Sequence, residues 1–429
     1  MIVLDRFEAV LAVFTVLYYS SALYRIIADG VSSSAGSASS SDSNPILLLI
    51  QLGILAAYFV LSALRWRKFI PAALKVPLCW ALPLLAFFSS HWSVVPDLSG
   101  RRGLLLVGAT MVAVYWSIRY PLSVLIRFVG WGFGLSAIGT VVLTLAFPAF
   151  GIDSGEHAGA WQGMFAQKNA LARAMLLATL SYACSVINRD RPKWLWWSGL
   201  FLATGLILLS TSKTGLLLLC TLMACIPLYR SLRAGSVPRV TLLALIGLLS
   251  ASCAGLVIIS YAELIVTALG RDLSLTGRTG IWEILASKIS ERPWLGYGYK
   301  GFWLDMDGES ADVWYVTLFM SPNGHNGFLD LVLDLGFVGL GIFGLSCLLT
   351  VSRCLVWLRL QANPIIGIYP LLFFTYLMLS NVTESSLILD PNSIFWLLYA
   401  TIAAVVQIQL PVTKRSRTLQ QSLEESKYA

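Results

Sequence analysis

The chain has 429 residues, 57% of them hydrophobic and only 12% charged, and its formal net charge is +8. That charged fraction is about half the ~25% of ordinary soluble domains, which argues against a soluble enzyme. The positive balance would suit nucleic acid, but its distribution fits membrane topology, so no nucleic-acid partner is expected.

Apolar segments near the ~20 residues needed to cross a bilayer recur along the whole length. In chain order they predict about twelve spans, over 7–28, 46–63, 77–90, 103–118, 126–147, 168–187, 194–210, 214–229, 239–259, 326–349, 364–380 and 393–410. The fold class is therefore all-α and polytopic, with residues 1–429 as one integral membrane domain. Segment 77–90 is short for a span and suits a buried or adapted helix. The Ser-rich run at 31–43 has no apolar periodicity and reads as an external loop. All seven cysteines lie in or at the ends of apolar segments without metal-type spacing, so they read as small buried hydrophobes.

Placing the N-terminus inside puts 19 of the 30 Lys and Arg on the cytoplasmic side, including Arg6, Arg65, Arg67, Lys68, Lys75, Arg119, Arg233 and the basic tail. The opposite orientation reverses the bias, so both termini are expected in the cytoplasm.

The largest interruption is 260–325, expected as a loop on the outer face. Within it LTGRTGIWEILASKI reads as an amphipathic helix, and ERPWLGYGYKGFW is rich in glycine and aromatics. Trp282, Trp294, Tyr297, Tyr299, Phe302, Trp303, Trp314 and Tyr315 suit either an interfacial aromatic belt or a platform for stacking sugar rings. The acidic run DMDGESAD at 305–312 places its glycine fourth rather than sixth, so it does not fit an EF-hand. No metal or cofactor is expected.

His91, His157 and His325, the only three histidines, all fall on the outer face of this topology. A lone histidine is more often a structural hydrogen bonder than a base. His325 differs because it sits at a helix mouth in SPNGHNGFLDLVLDLGFVGL, with Asn326 beside it and two carboxylates below. Asp330 and Asp334, four residues apart, share one helical face. Asp330 is close enough to the mouth to orient the histidine through intermediaries, whereas Asp334 reads as a hydrogen bonder between helices. Gly336 and Gly339 read as points of close helix packing.

A series of cations marks the other outer helix mouths. Arg101 and Arg102 stand in HWSVVPDLSGRRGLLL, and Lys168 and Asn169 in GMFAQKNALARA, with Arg173 about a turn deeper. Lys213 follows Ser212 in LLSTSKTG, and Arg278 lies in TGRTGIW. Each could be a snorkelling anchor. As a set, running against the positive-inside bias, they suit a phosphate or pyrophosphate held by charge-assisted hydrogen bonds. Helix starts near 168 and 214 would add free N–H donors. Asn169, Ser212, Asn326 and Asp330 are read as supporting groups.

With these residues in view, the chain resembles the bacterial O-antigen ligase and polymerase superfamily, most closely over 160–345. The resemblance rests on GMFAQKNALA, STSKTG, GRTGIW, PWLGYGY and HNGFLDLVLDLGFVG. In the last, His325-Asn326 is followed by nine residues, then Gly336 and Gly339, as in the ligase signature. The resemblance implies a lipid-dependent, GT-C-like fold in the inner membrane. It implies metal-independent glycosyl transfer on the periplasmic face, from an undecaprenyl-pyrophosphate-linked glycan to a sugar hydroxyl. His325 would be the base, and Arg278 and Lys213 would hold the donor pyrophosphate, with Arg101, Arg102, Lys168 and Arg173 as further donor contacts. Relatives often have arginine where this chain has Lys213, and lysine lacks the bidentate fork. HWSVVPDLSGRR followed by AQKNALA looks closer to exopolysaccharide polymerases, whose acceptor is a lipid-linked repeat. The alternative is a ligase that transfers the glycan to lipid A-core. A transporter of the same lipid-linked glycan is the rival of another class, although no internal repeat is visible. A chain-length regulator or a flippase are candidate partners.

Overall fold

The computed structural model describes residues 2–28, 44–155, 157–234, 278–304, 308–317, 321–383 and 389–410. The predicted span 239–259, the Ser-rich run, residues 260–277 of the loop and the basic tail lie outside the described residues.

The regular secondary structure of the described residues is helical apart from one isolated bridge between Ile152 and Trp161. We number the helices α1 (Ile2–Tyr19), α2 (Tyr24–Ala28), α3 (Pro45–Leu64), α4 (Trp66–Lys75), α5 (Pro77–Phe88), α6 (Pro96–Arg119), α7 (Leu122–Ala146) and α8 (Pro148–Gly151). They continue with α9 (Lys168–Ile187), α10 (Lys193–Leu209), α11 (Lys213–Ala234), α12 (Arg278–Glu291), α13 (Ala311–Thr317), α14 (Gly327–Leu360), α15 (Pro364–Thr383) and α16 (Ile394–Ile408).

Local chemistry sets the starts. Asn44, Asn326 and Ser393 accept from backbone N–H groups in the first turns of α3, α14 and α16, and proline stands at or near the start of α3, α5 and α6. Both devices serve the orphan donors of a helix start. Among the described residues six helices are long and apolar enough to cross a membrane: α3, α7, α9, α11, α14 and α15. The bent pair α4 and Pro77–His91 would make a seventh, and α10 and α16 are shorter apolar helices. The chain is thus a multi-pass membrane protein, all-helical in the regular structure of its described residues.

Three expectations change in detail. The first predicted span is not one helix: it stops at Tyr19 and restarts at Tyr24, with Ser21 at φ 66°. Ser20 Oγ donates to the Leu17 carbonyl at 2.7 Å, a local bond that competes with the helical ladder. The restart aims Arg25 at the Phe150 carbonyl, 2.8 Å from Nη1, with the guanidinium 3.9 Å from the Phe150 ring. Arg25 is therefore a buried packing group. The short segment α5 packs against α6, where Gly103 lies on the Phe87 backbone with no room for a side chain.

The third change is in α14. Gly336 breaks this helix at φ 65°, ψ −169°. A Cβ there would overlap the Trp294 carbonyl, so the glycine admits the loop backbone and does not serve helix–helix packing. The loop supplies the bonds the break leaves open. Phe337 N–H donates to the Pro293 carbonyl at 2.8 Å and Val338 N–H to Trp294 at 3.2 Å, while Tyr297 N–H donates to Leu333 at 2.8 Å. A broken helix at membrane depth is tolerable when protein satisfies its backbone in this way.

Hydrogen bonds sort the helix termini into two ends. At one end Tyr24 reaches the Asn392 carbonyl, Gln51 reaches Pro391, Tyr299 reaches Leu389 and Trp161 N–H reaches Leu209. His325 lies here. At the other end Arg233 donates to the Gln361 carbonyl, Asn363 bonds Asn188, and Gln409 donates to Ser117 and Tyr120.

Candidate functional site

The segment before α14 is a clamped loop. Trp282 Nε1 donates to the Gly324 carbonyl at 2.8 Å and Trp314 Nε1 to Ser321 at 2.9 Å. Ser321 Oγ donates to the Asn323 carbonyl at 2.6 Å. Asp330 Oδ1 accepts from Trp303 Nε1 at 2.8 Å and from Gly324 N–H at 3.0 Å. At the centre stands His325, half-buried, at φ 49°, with its backbone N–H on Asn323 Oδ1 at 3.0 Å. A non-glycine residue in the left-handed region costs of order 1 kcal/mol and persists only where surroundings over-determine it. Asn326 follows and caps α14, its Oδ1 accepting from Phe328 and Leu329 at 3.0 and 3.2 Å.

Asp330 thus holds the backbone of Gly324, the residue before the histidine. Asp334 departs from the expectation. It is buried and accepts a hydrogen bond from the Lys300 backbone, so the loop supplies its hydrogen-bond partner, with Arg102 of α6 also within electrostatic reach.

The aromatic platform needs a larger correction. Tyr297, Tyr299 and Phe302 are fully buried. Tyr297 Oη donates to the Lys288 carbonyl at 2.9 Å and Tyr299 Oη to Leu389 at 3.1 Å. Trp282, Trp303 and Trp314 spend their indole N–H groups on the His325 loop and Asp330. Only Trp294 and Tyr315 of the eight rings are largely exposed, at 70% and 65%. The acidic run also has structural partners: Lys288 Nζ lies 3.0 Å from Glu309 and 2.6 Å from Asp312. The Asp312 hydrogen bond holds the Lys288 pKa above the usual lysine value against the opposing effect of burial, with help from Glu309 and Glu291.

The expected cations fall into two sets. In the first, Ser212 Oγ donates to Asn169 Oδ1 at 2.8 Å and accepts from Gly215 N–H at 3.2 Å. That bond ties the start of α11, with Lys213, to the start of α9, with Lys168 and Asn169. Both helices pack on α15, where Tyr376 Oη donates to the Arg173 carbonyl at 3.0 Å. Five residues further along α15, Asn381 Oδ1 lies where a Cβ on Gly327 would stand. Lys168, Asn169, Arg173, Ser212 and Lys213 therefore share α15 with His325-Asn326.

The second set lies beside the Gly336 break. Arg101 and Arg102 lie in the second turn of α6, next to Tyr18, Gln51 and Asn392. Lys300, at φ 57°, lies 3.7 Å from Asp390 and within electrostatic reach of Asp334, Arg102 and Asp330. Burial lowers the Lys300 pKa, but Asp390 and Asp334 outweigh it, and the net shift is upward. Arg278 begins α12, and its side chain lies outside the described residues. The two sets meet α14 at different levels, one at its start and one at its break.

Sequence reasoning missed Asn323, Gly327 and Asn381. The signal for the first two is the run Asn-Gly-His-Asn-Gly at 323–327, where side-chain amides and glycines alternate around one histidine. Asn381 has no local signal, because its role depends on which helix packs beside Gly327.

Two comparisons bear on this geometry. Residues 198–344 match the family described as O-antigen ligase. The chain is also 28% identical over 308 residues to the exopolysaccharide production protein ExoQ of Rhizobium meliloti (strain 1021), covering 68% of each chain. The family match includes Lys213, the start of α12, the clamped loop and the Gly336 break. Together with the multi-pass helical fold, these two likenesses support the O-antigen ligase and polymerase superfamily.

Proposed function

We propose that the protein transfers a glycan on the periplasmic face of the inner membrane, from an undecaprenyl-pyrophosphate carrier to an acceptor sugar hydroxyl. The observation that carries this reading is His325, held at φ 49° by a loop that three tryptophans and Asp330 pin in place. In the step, the acceptor oxygen attacks the anomeric carbon as the bond to the pyrophosphate oxygen breaks. His325 takes the hydroxyl proton, the role a positioned imidazole fills as general base. Negative charge develops on the leaving undecaprenyl pyrophosphate, and cations facing it lower the barrier. Lys213, Lys168 and Arg173 are our assignment for that role, with Arg278, Arg101 and Arg102 as further contacts. Asn169, Ser212, Asn326 and Asp330 position these groups.

About twelve spans, a GT-C-like arrangement, cytoplasmic termini and a periplasmic loop over 260–325 belong to the same reading. Segment 160–345 is its core. We favour a repeat-unit polymerase, since the relative at 28% identity is an exopolysaccharide production protein. The ligase alternative, with lipid A-core as acceptor, draws on the O-antigen ligase description of the matching family.

One assay separates the readings. Purified protein receives a lipid-linked repeat with or without lipid A-core. Chain growth without core identifies a polymerase, and transfer only with core identifies a ligase. Movement of the lipid across liposomes with neither product identifies a transporter and overturns the proposal.

A further inference from the structure

At the end opposite His325, α4 turns 86° from the apolar helix that follows it. At nearly a right angle to the apolar α5, α4 is placed to lie along the membrane surface while α5 enters the bundle, rather than the two forming one bent span. Its sequence fits: Trp66, Ile70 and Leu74, four residues apart, form one stripe and are 55%, 49% and 76% exposed. Ala72 is buried on Val76, Val114 and Ala403, which docks a second face to the protein. The face turned away from the apolar stripe carries Lys68 and Lys75, spaced by two turns. A surface helix with this division sits at the headgroup boundary, with the apolar stripe in the acyl region and the cations above it.

The lysines line an open surface cavity of about 490 Å³, with Arg119, Tyr120 and Gln409 also on its wall. That volume lies within the ~300–1,000 Å³ of small-molecule sites. Gln409 Nε2 fixes one wall by donating to the Ser117 and Tyr120 carbonyls at 2.5 and 2.8 Å. Arg119 is already engaged by Glu8 and Asp5. Lys68 and Lys75 pair with no carboxylate among the described residues. Two lysines with uncompensated charge thus line one cavity on the polar side of α4.

We propose that this cavity binds a phosphate-bearing anion, supplied by the headgroup of an anionic phospholipid in the leaflet that α4 lies on. The site is separate from the His325 end and does not rest on the transfer reaction.

Native mass spectrometry of the detergent-solubilised full-length protein tests it. Phosphatidylglycerol should be retained at least tenfold more tightly than phosphatidylcholine. Lys68→Gln with Lys75→Gln should abolish that preference, given roughly fivefold per surface cation. Lys68→Arg with Lys75→Arg should keep it, and the lipid-free melting temperature of the glutamine pair should match the parent. Equal retention of both lipids, or unchanged preference in the folded glutamine pair, overturns the proposal. If sn-glycerol 3-phosphate alone binds the parent as tightly as phosphatidylglycerol, the source is a soluble phosphate and the lipid assignment fails.

Discussion

The two ends of the bundle hold different things in place. At the end opposite His325, a carboxylate holds side-chain charges. Glu8, 1% exposed, receives Arg65 Nη2 at 2.6 Å and Arg119 Nε at 2.5 Å, drawing α1, α3 and α6 together. At the His325 end, indole N–H groups and side-chain oxygens hold a stretch of backbone, and the histidine within it stays left-handed. The first arrangement stabilises helix packing. The second commits polar bonds to a conformation that packing alone would not choose, as expected where geometry serves chemistry.

The comparison breaks first at His325. His325→Ala should cut glycan transfer by about 10²- to 10⁴-fold, the usual range for a positioned proton acceptor, with an unchanged melting temperature. Near-parental turnover in a well-folded variant would return His325 to a structural role. Next comes Gly336→Ala, which puts a Cβ onto the Trp294 backbone at a positive φ. It should destabilise the protein by about 3 kcal/mol or more, read as lost thermal stability and faster proteolysis between 292 and 303.

Glu8→Gln acts at the other end. It should cost about 2 kcal/mol, less than a fully buried pair because both arginines are about a quarter exposed. Transfer per folded molecule should stay the same; a parallel loss would mean that the two ends are coupled. The smallest effect is at Lys288. Its pairing raises the folded pKa above the unfolded value of ~10.4, so the stabilisation is complete below that pH and is lost as pH rises through the folded pKa. Lys288→Met should loosen α12 by about 1 kcal/mol at pH 7, its partners being partly exposed. Hydrogen exchange over 278–291 should rise at pH 7 and match the parent at strongly alkaline pH.

Much of this architecture could be read locally. Low charge and recurrent apolar runs decide that the chain is a helical membrane protein, because backbone in lipid must satisfy itself. Asn326 at a helix start and Ser212 before α11 are capping residues legible from their neighbours. The histidine is conspicuous because few polar groups compete with it.

Tertiary structure decided what these residues touch. Eight aromatics in one loop look alike in sequence, and only the fold buries Tyr297 and Tyr299 while leaving Trp294 exposed. Gly336 reads as a packing glycine until the loop enters the break beside it. Asp334 reads as a bond between helices until Lys300 supplies the partner from a turn more than thirty residues away. Periodicity and capping depend on residues within a few turns, so sequence states them. The partner of a buried polar group is set by which distant segment packs against it, and no local pattern records that.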